Sequence, residues 1–262
     1  VSGAAHEAAV RKQVPATAQI IEPSARGTMG AIGLAAAVIH HRHGDVVIGS
    51  FAADHLIENE EAFREAVTRA IGAAERGYVA TIGITPDSAS TAYGYIHAAE
   101  EIAPGVRAVV EFVEKPDEET AGRYVSSGEF VWNAGMFVAR TSVLLDALRT
   151  YHPEIADPLH ELAQLWDTDE RGAAITRYWD SLPNAVIDRA IAEPLAAEGG
   201  VAVVPVDMGW SDVGDYASLA DVIDPVERAT QVSPGGSPQQ TVRVSSDDAL
   251  IYTHSKPIVV VG

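Results

Sequence analysis

The chain has 262 residues, 47% of them hydrophobic, a formal net charge of −19 and no cysteine. That length holds one large domain, or one domain with a small appendage, and a core that needs no covalent staples. The charge argues against a nucleic-acid backbone as partner. The missing thiols exclude disulfides, thiolate nucleophiles and zinc–thiolate sites, and suit a reducing cytoplasm. The longest apolar run, MGAIGLAAAVI at 29–39, is shorter than the ~18 residues a membrane span needs, so no membrane partner is expected.

In chain order, AHEAAVRK (5–12) reads as a helix and AQIIEP (18–23) as a short strand. TMGAIGLAAAVIHHRHG (28–44) reads as an alanine-rich buried helix, with Gly44 suited to follow its last turn. DVVIGS (45–50) is a buried strand, and residues 58–77 form an amphipathic helix with acids in its first turn. YVATIGIT (78–85) is the next strand. Strand-like alternation returns at 91–100 and 106–115, a helix at 117–127, and a strand at 130–139 broken by Asn133 and Gly135. Helices are predicted at 141–150, 153–168 and 169–179, with a shorter one near 186–193. VAVVPVDM (201–208) is the last buried strand, followed by a helix at 215–223. The alternation predicts an α/β fold: a Rossmann-like, mixed and mostly parallel sheet flanked by helices. Residues 1–224 form the main domain, and 225–240, rich in Pro, Gly, Ser and Gln, read as a linker. Residues 241–262 resemble the start of a small C-terminal β domain, a surface on which a homodimer could assemble.

Chemistry-bearing residues fall at strand ends, where open α/β sheets gather ligands. Asp54 follows DVVIGS, and Asp212 follows VAVVPVDM within Gly209-Trp210-Ser211-Asp212-Val213-Gly214. Two such aspartates in a cysteine-free chain suggest one divalent ion on oxygen ligands and hence phosphate chemistry. The plainer reading of each is a turn or a helix cap. His55 is read as a structural hydrogen-bonder. Glu114-Lys115-Pro116 ends a strand with an acid and a base, and a lysine there suits a phosphate. The alternative is an ordinary turn. Gly94, between two tyrosines, permits a close backbone approach or marks a bulge. Asn133 beside Gly135 suits sugar hydroxyls or is a polar bulge, since a buried Asn must find partners. His40, His41 and His43 favour the C-terminal dipole of their helix over metal ligation.

Taken together, EPSARGTMGAIGLAA (22–36), AADHLI (52–57), GITPDSASTAYGYI (83–96), FVEKPD (112–117), VWNAGMF (131–137), VIDRAIAE (186–193) and GWSDVG (209–214) resemble, in order, the sugar-1-phosphate nucleotidyltransferases, and more narrowly the mannose-1-phosphate guanylyltransferases. The resemblance implies a reaction of GTP with mannose 1-phosphate to give GDP-mannose and pyrophosphate. It also implies Mg²⁺ held by Asp54 and Asp212, and Lys115 on the sugar phosphate. Glu114, Asn133 and the Gly94 backbone would bind sugar hydroxyls, with Asp188 and Glu193 lining the same side. Glu22, Arg26 and Gly27 lie where the family reads the base. Gly27, Gly30, Ala52, Ala92, Ala134 and Val186 depart from the usual residues without removing a charge. The family's opening strand, its Gly-rich loop with an Arg and the later Pro-Lys pair have no counterpart here. The chain starts on Val1-Ser2-Gly3, so it is expected to lack its true N-terminal segment. The alternatives are another sugar and nucleotide pair, such as glucose 1-phosphate with dTTP or UTP, or a non-catalytic regulatory relative. No GxGxxG motif supports a dinucleotide enzyme.

Overall fold

A computed structural model describes residues 1–213, 242–244 and 259–261. In chain order the elements are β1 (Ser2–Gly3), a 3-10 turn (Ala4–His6), α1 (Glu7–Gln13), β2 (Ile21–Glu22), α2 (Gly27–His43), β3 (Val47–Ser50), β4 (Leu56–Ile57), α3 (Glu60–Glu75), β5 (Val79–Ile84), β6 (Tyr95–Ala103), β7 (Val106–Val113), α4 (Glu118–Ser127), β8 (Phe130–Arg140), α5 (Thr141–Tyr151), α6 (Pro153–Leu165), α7 (Arg171–Ala174), π-helical turns at Ile175–Trp179 and Asp188–Ala192, α8 (Glu193–Ala197), β9 (Val201–Val206), β10 (Trp210–Ser211), β11 (Val242–Val244) and β12 (Val259–Val261). Two units are distinguished: Val1–Ala52 with Asn59–Met208, and Ala53–Glu58 with Gly209–Gly262. The helix expected at 215–223 and the linker at 225–240 lie outside the described residues.

The larger unit is built on a six-stranded sheet of order β3-β8-β5-β9-β7-β6, with β8 also pairing with β6. β3, β5, β6 and β9 share one direction, and β7 and β8 run against them. The sheet is therefore mixed, as an α/β reading requires. Parallel pairing does not dominate it, however, because the two reversed strands sit between strands of common direction. Only β5 and β9 form a parallel ladder in this sheet. All six residues of β5 are buried, the signature of a strand covered on both faces.

Local chemistry sets the helix ends. The Asn59 side chain accepts from Ala62 N at 3.1 Å, and Glu60 and Glu61 occupy the first turn of α3. The buried stripe Ala66, Ala70, Ala73, Ala74 follows the helical period. Asp117 caps α4 through Thr120 N at 2.8 Å, and left-handed Gly128 ends that helix. On α2, Met29, Leu34, Ala36, Ala37 and Val38 are buried, and they share one apolar cluster with Leu144 and Leu148 of α5 and Leu159 and Leu162 of α6.

The N-terminus of α5 is capped from far away in sequence. Ser142 N donates to Asp45 Oδ1 at 3.0 Å, and Arg140 Nη1 donates to Asp45 Oδ2 at 3.0 Å. These bonds, led by the Ser142 amide, hold the Asp45 carboxyl below its ordinary value. A depressed folded-state value means its stabilisation is present at neutral pH and is lost as pH falls through that value. Asp45→Ala should cost about 1 kcal/mol in urea unfolding at pH 7, with the gap from wild type closing in strong acid. An equal gap at every pH would remove Asp45 from this role.

Candidate functional site

The sugar-side residues predicted from sequence arise at one end of the sheet. Ile84, Tyr95 and Val113 lie level with Trp132 through the β5–β8, β6–β8 and β6–β7 registers. Gly94, Glu114 and Asn133 are the next residues at that level. Between the Thr81↔Phe137 and Gly83↔Asn133 pairs, β8 carries two more residues than β5, and Gly135 there adopts φ 66°. This is the polar bulge foreseen as the alternative for Asn133, and it comes with a network. Asn133 N donates to Gly94 O at 2.8 Å. Asn133 Oδ1 accepts from Gly135 N at 3.0 Å, and Asn133 Nδ2 donates to Asp188 Oδ1 at 2.5 Å.

Gly94 makes room for Glu114: a Cβ placed there would lie 2.8 Å from Glu114 Oε2. Lys115 Nζ is 4.0 Å from Glu114 Oε1, on an exposed side chain. Burial raises the Glu193 carboxyl above its ordinary value; Arg189 opposes that, and the Asp188 and Glu114 charges reinforce it. Gly94, Glu114, Asn133, Asp188 and Glu193 thus form one neighbourhood. Tyr93 and Trp132, not singled out as site residues from sequence, pack at 4.9 Å between ring centroids beside it.

The residues predicted for the base side occupy the entry to α2. Arg26 Nη2 donates to Asp180 O at 3.1 Å, while its buried Nε has no partner among the described residues. Gly27 has φ 74°, and a side chain there would run into the Ala185 carbonyl. Ala185 N donates to Arg26 O at 3.2 Å, Met29 N to Ala185 O at 3.1 Å, and Ile187 N to Thr28 Oγ1 at 3.0 Å. The Arg26–Met29 turn is therefore laced to the segment that delivers Asp188. Thr28 was missed from sequence, since a hydroxyl at a helix start reads only as a local cap. Glu22 lies on β2, paired with Gly3 of β1, and no hydrogen bond among the described residues holds its carboxylate. A cavity of about 350 Å³ runs past Thr28, Ile48, Phe51, Gly135, Ile187 and Asp188.

The smaller unit holds the two aspartates. β4 and β10 pair antiparallel, Trp210 opposite Ile57 and Ser211 opposite Leu56. The His55 ring packs edge-on against Trp210 at 5.3 Å. Burial depresses the His55 pKa, and the charges of Asp54 and Asp212 both oppose that shift, so the imidazole feels both carboxylates. Among the described residues its buried Nδ1 has no hydrogen-bond partner, unlike the structural hydrogen-bonder the sequence suggested. Among the described residues, no cluster of three or more carboxylate or imidazole ligands forms. Among the described residues, two non-glycine residues have positive φ, Lys115 (46°) and Val213 (44°). Each stands in a stretch proposed to carry chemistry, and strained backbone of this kind gathers at functional sites.

A mixed α/β sheet with acids, an amide and a lysine at strand ends belongs to the architectures that bind nucleotides and their conjugates. Residues 4–229 match the family described as Nucleotidyl transferase, and the chain belongs to that family. The xanthan biosynthesis protein XanB of Xanthomonas campestris pv. campestris is 42% identical over 213 residues, covering 80% of this chain and 44% of that protein. The mannose-1-phosphate guanylyltransferase of Escherichia coli K12 is 40% identical over 211 residues, covering 78% of this chain and 43% of that protein. A solved structure from Thermus thermophilus, described as a mannose-1-phosphate geranyltransferase, superposes with a TM-score of 0.80 at 26% identity, covering all of this chain and 73% of that one. The chain spans a little under half the length of these two curated relatives.

Gly27→Ala should lower stability by about 2 kcal/mol or more, from left-handed backbone strain plus collision with the Ala185 carbonyl. Urea unfolding measures it. A cost near zero would show that the Arg26–Ala185 lacing yields easily.

Proposed function

We propose that this chain carries the transfer chemistry of a mannose-1-phosphate guanylyltransferase: GTP and mannose 1-phosphate give GDP-mannose and pyrophosphate. The observation that carries the proposal is the convergence of residues from separate stretches of sequence: hydrogen bonds tie Gly94, Asn133 and Asp188 together, and Glu114 packs against Gly94. The names of the relatives supply the nucleotide and the sugar. Residues 1–224 would form the transfer domain, with the segment after 240 the start of a second, β domain open to homodimer formation. A cysteine-free enzyme acting on nucleoside triphosphates suits the cytoplasm. Among the described residues no helix is long and apolar enough to cross a membrane.

A phosphate oxygen of mannose 1-phosphate attacks the α-phosphorus of GTP in line, and pyrophosphate departs from the opposite side, with no covalent enzyme intermediate. Two polyanions must meet, so the protein's work is positioning and charge neutralisation. Lys115 pairs with the sugar phosphate. Glu114, Asp188 and Glu193 receive hexose hydroxyls, and the Gly94 backbone gives the ring close approach. Glu22, Arg26 and the Gly27 turn lie at the base.

The donor set beside His55 fits a hard divalent ion such as Mg²⁺: two carboxylates supply oxygen ligands, leaving other positions for water and phosphate oxygens. Asp54 and Asp212 would hold it, and when bound it would neutralise charge on phosphate oxygens.

The test is pyrophosphate release by the full-length gene product, over GTP, UTP and dTTP each with mannose 1-phosphate or glucose 1-phosphate. Turnover fastest with GTP and mannose 1-phosphate is expected. Another preferred pair would reassign the substrate, and binding without turnover would favour a regulatory relative. Asp212→Asn should lower kcat about a hundredfold or more, and unchanged turnover would take Asp212 out of the mechanism. Lys115→Ala should raise KM for mannose 1-phosphate roughly tenfold or more and leave KM for GTP nearly unchanged. The reverse pattern would place Lys115 on the nucleotide.

A further inference from the structure

Asn133 has few polar groups left for a ligand. Its Oδ1 is taken by Gly135 N, its Nδ2 by Asp188 Oδ1, and its backbone N by Gly94 O. Asp188, half-buried, lines the cavity beside Gly135 and lies close to the Glu193 charge. Asp188 Oδ2 makes no hydrogen bond among the described residues. A carboxylate with one oxygen clamped by an amide keeps a fixed orientation and offers its other oxygen as an acceptor. Its backbone is held too, because the preceding amide of Ile187 is bound by Thr28 Oγ1 at 3.0 Å.

We infer that Asn133 is a positioning residue: it sets the Asp188 carboxylate so that Oδ2 accepts a hexose hydroxyl, and its influence on sugar binding runs through Asp188. This rests on the hexose-phosphate reading above and narrows it, moving Asn133 from ligand to support. Glu114, set above Gly94, and Asp188 then grip the sugar from two elements, with Asn133 joining them through its bonds to Gly94 and Asp188.

Two measurements on the full-length protein test this. In ¹⁵N NMR, one side-chain amide proton of Asn133 should lie well downfield of the other and lose that separation in Asp188→Ala. An unchanged proton pair in Asp188→Ala would overturn the link whatever the ligand. By calorimetry with GDP-mannose, Asn133→Ala and Asp188→Ala should each weaken binding about tenfold or more. The double variant should be no weaker than the worse single one, because the two groups act as one unit. The exchanged pair Asn133→Asp/Asp188→Asn should recover part of the loss, since an amide at 188 can donate to a carboxylate at 133 and keep its oxygen as the acceptor. Additive losses with no recovery would make Asn133 an independent sugar ligand and overturn the proposal. Failure of the wild type to bind GDP-mannose, with the NMR link intact, would overturn the functional reading and the assigned role, leaving only the hydrogen-bonded pair.

Discussion

The bulge in the strand Phe130–Arg140 is the constraint on which the site depends. Two residues more than its neighbour on Val79–Ile84 force backbone groups out of a buried ladder. Buried amides and carbonyls must be satisfied, each orphan costing about 1–3 kcal/mol. The fully buried Thr81 hydroxyl donates to Met136 O at 2.9 Å, and the Asn133 side chain takes up Gly135 N. The bulge is thus bound from both ends by side chains. Because Asn133 does this locally, its amide nitrogen is left at the mouth of the sheet, where it meets Asp188. Packing satisfaction and site geometry come from one residue.

Charge is the second theme. A chain of net charge −19 could not rely on its overall field to bind the phosphates proposed for it. Many of its arginines are spent on helix surfaces, as in Arg11–Glu7, Arg64–Glu60, Arg69–Glu65 and Arg123–Glu119, all at i,i+4 spacing. Such exposed pairs add only tenths of a kcal/mol each, roughly 0.3–0.5. Lys115 differs: its contact with Glu114 is long, its side chain is exposed, and its backbone is held in a left-handed conformation that ordinary turns avoid. An exposed cation with only a long contact to its neighbour, held at some conformational cost, is suited to an incoming anion.

What was legible in the sequence was local. The acids in the first turn of Glu60–Glu75 announce that helix, and the β-type run at 78–85 announces a strand. The order of motifs picked out Gly94, Glu114, Asn133, Asp188 and Glu193, which come together. The rest needed partners distant in sequence. Asp45 caps a helix that begins 96 residues later, counting from 45 to 141. Thr28 holds the amide of Ile187, and Arg26 is fastened to Asp180. Strand direction was misjudged in its pairing because alternating β and α segments suggest parallel ladders, whereas the reversed strands at 106–113 and 130–140 are interleaved only in three dimensions.

The most direct measurement is a crystal structure of the full-length protein with GDP-mannose bound. The hexose should lie against Gly94, with its hydroxyls on Glu114 and Asp188 and the Asn133 amide still on Asp188. A hexose seated away from these residues, or an Asn133 amide turned from Asp188 onto the sugar, would contradict that arrangement.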